Sequence, residues 1–171
     1  MSELRLVGRR VVLRPVAEAD MEPMLRILLE PEIAKWWPDY NAERLRADTL
    51  DDPSSTTLAI ELASGELIGL IMFAEELDPY YKHASMDVTL ATAFLGQGLG
   101  PEVLRTLASY LFSERGHHRL TIDPAAINSR AIAAYRKVGF KPVGVMRCYE
   151  LGSGGVWRDG LLIDLLKDEL T

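Results

Sequence analysis

The run Gly96-Gln97-Gly98-Leu99-Gly100-Pro101 leads straight into an apolar set at helical spacing, Val103, Leu104, Leu107, Ala108, Leu111 and Phe112. Residues of these types in this order bind anions. Glycine turns through backbone conformations closed to other residues and lets a ligand approach closely, while the first turn of the following helix offers unpaired N–H donors and a positive dipole end. Pro101 suits the first helical position, where no N–H is missed, and Gly116 suits the C-terminal cap. The dinucleotide fingerprint is excluded, because it needs two residues between its second and third glycines and Gly98 and Gly100 are separated by one. A triphosphate loop ends in Gly-Lys-Ser/Thr, which Gly100-Pro101 does not supply. A pyrophosphate carried by another kind of ligand remains.

Downstream, the segment Asp123 to Phe140 contains Asn128, Ala131, Tyr135 and Gly139-Phe140. Together with the glycine loop, this segment resembles the GNAT superfamily of N-acetyltransferases. In that superfamily a glycine-rich loop after the fourth strand binds the pyrophosphate of acetyl-CoA, and an Asn…Ala…Tyr…Gly-Phe segment follows the fifth strand. A narrower resemblance is to the aminoglycoside 6′-N-acetyltransferases. It rests on Ile33-Ala34-Lys35-Trp36-Trp37, Met86-Asp87, Leu95 to Gly100, Thr121-Ile122-Asp123-Pro124, Tyr135 to Phe140 and Asp159-Gly160, in that order over nearly the whole chain. Leu95 stands where the superfamily loop commonly begins with Gln or Arg, which removes one side-chain contact and leaves the backbone cradle.

The resemblance implies acetyl-CoA as co-substrate, no metal, and direct attack of an amine on the thioester in a ternary complex. Cofactor contacts would come from Leu90, Ala91, Thr92, Leu95, Gly96, Gln97, Gly98, Leu99, Gly100, Asn128, Ala131 and Tyr135. A backbone N–H among Leu90 to Thr92 would meet the oxyanion, and Tyr135, protonated at neutral pH, would return a proton to the leaving thiolate. An acceptor amine with a reference pKa near 10 must lose a proton before it attacks. Asp87 and Asp123 are the candidates at the amine. A carboxylate beside an ammonium holds it but also favours its charged form, so the roles divide: Asp87 as base or orienting group, Asp123 as substrate ligand.

The same resemblance brings Trp36 and Trp37 to the acceptor pocket, one as a packed ring and one as a platform with an N–H donor. Asp159 is a further acceptor ligand on this reading. The acidic segment Glu75, Glu76 and Asp78 would bind additional amines if it lined the cleft. His117 and His118, at a helix end, read as structural, and no metal-ligand spacing is present. Two competing readings stay open, an N-acyltransferase for a protein N-terminus or a lysine-like metabolite, and a non-catalytic acyl-CoA-binding regulator.

The chain has 171 residues, 48% of them hydrophobic, a size that suits one domain, 1–171, burying about two-thirds of its unfolded surface. With 19 Lys and Arg against 25 Asp and Glu the formal charge is −6, which argues against a nucleic-acid surface and permits a cationic small-molecule substrate. No apolar run approaches a bilayer span and the N-terminus carries Glu3, Arg5, Arg9 and Arg10, so the expected location is cytoplasmic, with no membrane partner, as a monomer or homodimer. Cys148 is single and reads as a strand residue.

The elements that must position these groups follow from periodicity. Leu4 to Arg14 predicts a strand, Asp20 caps a helix bearing Met21, Met24, Leu25 and Leu28, a short helix runs through Trp37, and another covers Ala42 to Leu50. Strands follow at Thr57 to Ala63, Glu66 to Ala74 and Ala84 to Thr92, the last with Asp87 on the face opposite Met86, Val88 and Leu90. After the glycine-loop helix come a strand to Asp123, a helix from Asn128 to Val138, and strands at Phe140 to Glu150 and Gly155 to Leu166. The fold class is α/β, a mixed and mostly antiparallel sheet with helices on both faces and a cofactor cleft between central strands.

Overall fold

A computed structural model describes residues 4–171. Eight strands form one sheet, β1 (Leu6–Val7), β2 (Val11–Pro15), β3 (Ser55–Leu62), β4 (Leu67–Glu76), β5 (His83–Leu90), β6 (Arg119–Ile122), β7 (Lys141–Leu151) and β8 (Trp157–Leu166). Their order is β1-β2-β3-β4-β5-β6-β8-β7. All neighbours are antiparallel except β5 and β6, which run parallel and pair only at Ala84↔Leu120 and Ser85↔Thr121. Beyond Ser85 the two strands part. That opening, in the middle of the sheet, is where the cleft lies.

The helices are α1 (Met21–Leu28), α2 (Pro31–Ala34), α3 (Ala42–Arg46), α4 (Leu99–Ser113) and α5 (Ser129–Arg136). Strand alternation sends side chains to two separate cores. On one face, Leu58, Ile60, Ile71, Phe73 and Met86 pack with Val103, Leu104, Leu107 and Leu111 of α4. On the other, Ala59 and Leu70 pack with Met24 and Leu28 of α1, Ile33 of α2 and Leu45 of α3. Met72 pairs with Asp87 across β4 and β5. By the same alternation Asp87 belongs to the α1 face.

Several boundaries differ from the sequence reading, each for a local reason. The first predicted strand is broken by a turn in which the Gly8 N–H donates to the Val11 carbonyl. The short helix stops at Ala34, leaving Trp36 and Trp37 in the turn beyond it. The helix from Ala42 widens at Ala47 into a π-type turn over Ala47–Asp51, and its start is capped by Asn41, whose side chain accepts from the Arg44 N–H. Helix α4 begins at Leu99, two residues before the expected Pro101, which still lies in the first turn, where its missing N–H costs nothing. No helix among the described residues is long and apolar enough to cross a membrane.

Candidate active site

The cleft has a volume of about 880 Å³ and is bounded by β5, the Asp123-Pro124-Ala125 segment after β6, the N-terminal ends of α4 and α5, and the Trp36 to Tyr40 turn. Its floor follows from the hydrogen-bond alternation of an antiparallel ladder. The Ala91 N–H donates to the Ile68 carbonyl, so the next pair, Leu90 opposite Gly69, is the wide kind. The Leu90 N–H is therefore turned away from β4 and into the opening. The Val88 N–H, two residues earlier and of the same parity, is taken by Asp87 Oδ1 at 2.9 Å.

The glycine loop forms the cofactor end. Gly96 and Gly98 have φ of +73° and +74°, a left-handed conformation that favours glycine, and Gly98 is the N-cap of α4. Side-chain contacts brace the loop from its far side. Arg10 donates from Nη1 to the Gln97 carbonyl at 3.1 Å and from Nε to Glu102 Oε2 at 2.7 Å. Opposite, Asn128 caps α5 by accepting from the Ala131 N–H at 3.2 Å. The first-turn donors of α4 and the open left-handed glycines fit a diphosphate, and Arg130 and Lys137 on and beside α5 also face the cleft.

Charge is concentrated at the floor. Asp87 opens onto the cleft, with protein around it on the remaining sides. Burial raises its carboxyl to about 7, the Val88 N–H opposes this, and the negative charges of Asp123 and Glu150 add to it. Tyr135 is buried beside Phe140, with ring centroids 6.2 Å apart. Burial, then the charges of Asp87 and Asp123, push its phenol far above the usual range, so it is a neutral donor at any working pH.

The acceptor end is walled by aromatic rings and acids. Trp37 packs on Tyr40 at 5.8 Å in the α1-face core, while Trp36 lies beneath Arg158, 5.3 Å from its ring, with its indole N–H enclosed and unpartnered. Arg158 ties β8 to this turn, donating to the Lys35 carbonyl at 2.8 Å and to Glu150 at 2.7 Å. Tyr40 donates to Asp48 at 2.8 Å, and Asp52 and Ser55 line the same wall.

The structure thus brings Asp87, Asp123, Tyr135, Trp36, Trp37, Leu90, Leu95, Gly96, Gly98, Gly100, Asn128 and Ala131 around one cleft. Other expected residues fall elsewhere. The amides of Ala91 and Thr92 are occupied, the latter by Glu30 Oε2 at 2.7 Å, so neither is free for an oxyanion. Gln97 and Leu99 shape the loop from outside the cleft wall.

Glu75 faces away from the cleft and is paired with Arg115 at 2.9 Å and His117 at 2.7 Å, an arrangement that holds its carboxyl below the usual range and gives His117 its structural place. Glu76 accepts from the Asp78 N–H and Asp78 from the Tyr80 N–H, so both shape the loop after β4 and neither lines the cleft. Asp159 accepts from the Cys148 N–H at 2.8 Å and also lies outside the wall. The site residues that sequence reasoning missed include Tyr40, Arg44, Asp48, Asp52, Arg130, Lys137, Glu150 and Arg158. Two acids four positions apart after the double tryptophan were the available signal for Asp48 and Asp52.

The parted strand pair therefore leaves one cleft with anion-binding amides at one end, acids at the other, and a backbone donor and a buried phenol between them, a site suited to group transfer from a diphosphate-bearing donor. Residues 10–141 match the acetyltransferase (GNAT) domain family. The chain belongs to that family and is an acetyl-CoA-dependent N-acetyltransferase. It is similar to aminoglycoside N(6′)-acetyltransferase type 1 of Klebsiella pneumoniae, 32% identical over 155 residues covering 80% of this chain and 76% of that protein. It is 24% identical to spermidine N(1)-acetyltransferase of Escherichia coli strain K12 over 157 residues, 88% of this chain and 83% of that one. Among solved structures it resembles aminoglycoside acetyltransferase AAC(6′)-Ib in complex with coenzyme A and kanamycin, with a TM-score of 0.76 and 25% identity over 93% of this chain and 96% of that chain.

Proposed function

We propose that the protein transfers the acetyl group of acetyl-CoA to a primary amine of a cationic amino sugar, the 6′-amine of an aminoglycoside being the first candidate. The observation that carries the acceptor class is that Asp87 and Asp123 line the same cleft, close enough for their charges to act on each other, with Glu150, paired to Arg158, lining it as well. An ammonium group relieves that repulsion. Asp48 and Asp52 continue the acidic wall outward, which suits a substrate with several amines, and the aromatic turn at Trp36 and Trp37 suits the apolar face of a sugar ring. The similarity to the Klebsiella enzyme supports the same choice.

The chemistry then assigns roles to the chain's own groups. Asp123 orients the ammonium, and Asp87, as carboxylate, takes a proton from it directly or through water. The freed nitrogen attacks the thioester carbonyl. The Leu90 N–H faces the position where negative charge develops on oxygen, and as the C–S bond breaks Tyr135 donates a proton to the departing sulfur and is reprotonated, directly or through water, by the second proton that the acylated nitrogen sheds in becoming an amide. The amides from Gly96 to Gly100 hold the diphosphate, with Arg130 and Lys137 as neighbouring cations.

A thiol-release assay with acetyl-CoA and a panel of kanamycin, spermidine and an unblocked peptide tests the acceptor. Turnover on kanamycin with kcat/KM well above the others supports this reading. A polyamine is the second reading, favoured by the Asp48 and Asp52 wall and by the similarity to the spermidine enzyme. Turnover on the peptide alone would overturn both.

A further inference from the structure

Between the pairs Met146↔Gly160 and Glu150↔Arg158, three residues of β7, Arg147, Cys148 and Tyr149, face the single residue Asp159 of β8. A bulge of this size re-aims the side chains it carries. Cys148 takes φ of +47°, in the left-handed region, and its N–H is satisfied by Asp159 Oδ1 at 2.8 Å. The Tyr149 ring then lies over Gly160, where an added Cβ would come within 2.7 Å of Tyr149 Cδ1. From that seat its hydroxyl donates to Asp123 Oδ2 at 2.5 Å. Asp123 lines the cleft, whereas Tyr149, Asp159 and the bulge stand behind it.

Resting on the reading of Asp123 as the acceptor ligand, we propose that Tyr149 is a positioning residue for the acceptor site, fixing one oxygen of Asp123 and leaving the other for the incoming ammonium. The Asp159-capped bulge and the bare backbone of Gly160 set its place. A carboxylate free to rotate would have to be ordered when substrate binds, and a phenol held behind it removes that cost beforehand. The hydrogen bond to Asp123, followed by burial, pushes the Tyr149 phenol up to about 12, so it stays a donor over the working range. Asp159, first read as a substrate ligand, acts on this account at one remove, through the bulge.

The test compares wild type, Tyr149→Phe and Gly160→Ala in the thiol-release assay, with kanamycin and spermidine as acceptors, alongside melting temperature and crystal structures. In Tyr149→Phe the acceptor KM should rise roughly tenfold, with kcat and the acetyl-CoA KM within about twofold and melting temperature unchanged. Gly160→Ala displaces the ring and should raise acceptor KM similarly, and the double variant should be no worse than Gly160→Ala alone. An unchanged acceptor KM in Tyr149→Phe, or an equal rise in both KM values with a lowered melting temperature, overturns the proposal. If wild type acetylates neither amine, the acceptor reading fails by itself, and the crystal structures decide the positioning claim. Asp123 in the wild-type rotamer in Tyr149→Phe overturns it, and a rotated or divided Asp123 supports it.

Discussion

Arg10 donates to the Gln97 carbonyl at 3.1 Å and so joins the turn between β1 and β2 to the far side of the glycine loop. The same guanidinium bonds Glu102 in the first turn of α4, so a single side chain sets both the loop and the helix start that present amides to a diphosphate. Arg10→Ala should raise the acetyl-CoA dissociation constant roughly three- to tenfold, as loss of a loop-ordering hydrogen bond does. Arg10 is half exposed and Glu102 keeps its bond from the backbone N–H of residue 10, so melting should change little. Gly98→Val should be more severe, because φ of +74° is strained for a β-branched residue. Calorimetry with acetyl-CoA checks both, and unchanged affinity in Gly98→Val would count against the loop as the diphosphate site.

Tyr135→Phe keeps the ring against Phe140 and removes only the hydroxyl. If that hydroxyl returns a proton to the leaving sulfur, kcat should fall on the order of a hundredfold while acetyl-CoA affinity stays within about twofold. Steady-state kinetics and calorimetry separate the two. A kcat equal to that of wild type would assign the proton to another group.

The raised Asp87 carboxyl has consequences for both rate and stability. The base must be ionised, so kcat/KM should rise with pH through about 7, and Asp87→Asn should lose most activity together with that limb of the profile. For stability the sign reverses. The folded protein holds the Asp87 proton at pH values where the unfolded chain, with a carboxyl near 3.9, has released it, so this group favours folding less as pH rises from about 4 to above 7. Asp87→Asn should therefore melt slightly higher than wild type at pH 8, the gain kept small because Asp87 opens onto the cleft, with the difference closing toward pH 4. A lower melting temperature at pH 8 would contradict the burial argument.

Glu75 gives the opposite case. Its partners Arg115 and His117 keep its carboxyl low, so its stabilising contribution is full above the ordinary glutamate range and is lost as pH falls through its lowered value. Glu75→Gln should lower the melting temperature at pH 7 and converge on wild type in acid, while acceptor KM stays within about twofold. A selective rise in acceptor KM would return Glu75 to the substrate site.

What the sequence disclosed was what local chemistry encodes. The left-handed glycines, the Asn128 cap and the alternation that sends Asp87 away from Met86 and Leu90 depend on residues within a few positions of one another, and spacing alone exposes them. The paired strands β3 and β4 and the helix behind the loop were legible for the same reason. The fate of Glu75 was not, because it turns on Arg115, 40 positions away. Nor was the role of Asp159. The turn near Gly152 to Val156 falls close to where the expected strands left it, but Asp159, inside the second of those strands, caps a bulge whose need appears only once β7 and β8 are in register. Thr92 looked like a free amide until Glu30 arrived from 62 positions upstream. Pairings across the sheet, rather than propensities along it, decided which acids reached the cleft.

The central claim is that one cleft, opened where β5 and β6 part, aims a thioester at a nitrogen held between Asp87 and Asp123. A crystal structure with coenzyme A and kanamycin bound tests it most directly. The account predicts the diphosphate on the amides of Gly96 to Gly100, the sulfur near the Leu90 N–H and Tyr135, and one amine within about 3 Å of a carboxylate oxygen of Asp87 or Asp123. A diphosphate bound away from that loop, or an aminoglycoside whose amines all avoid both carboxylates, would contradict it.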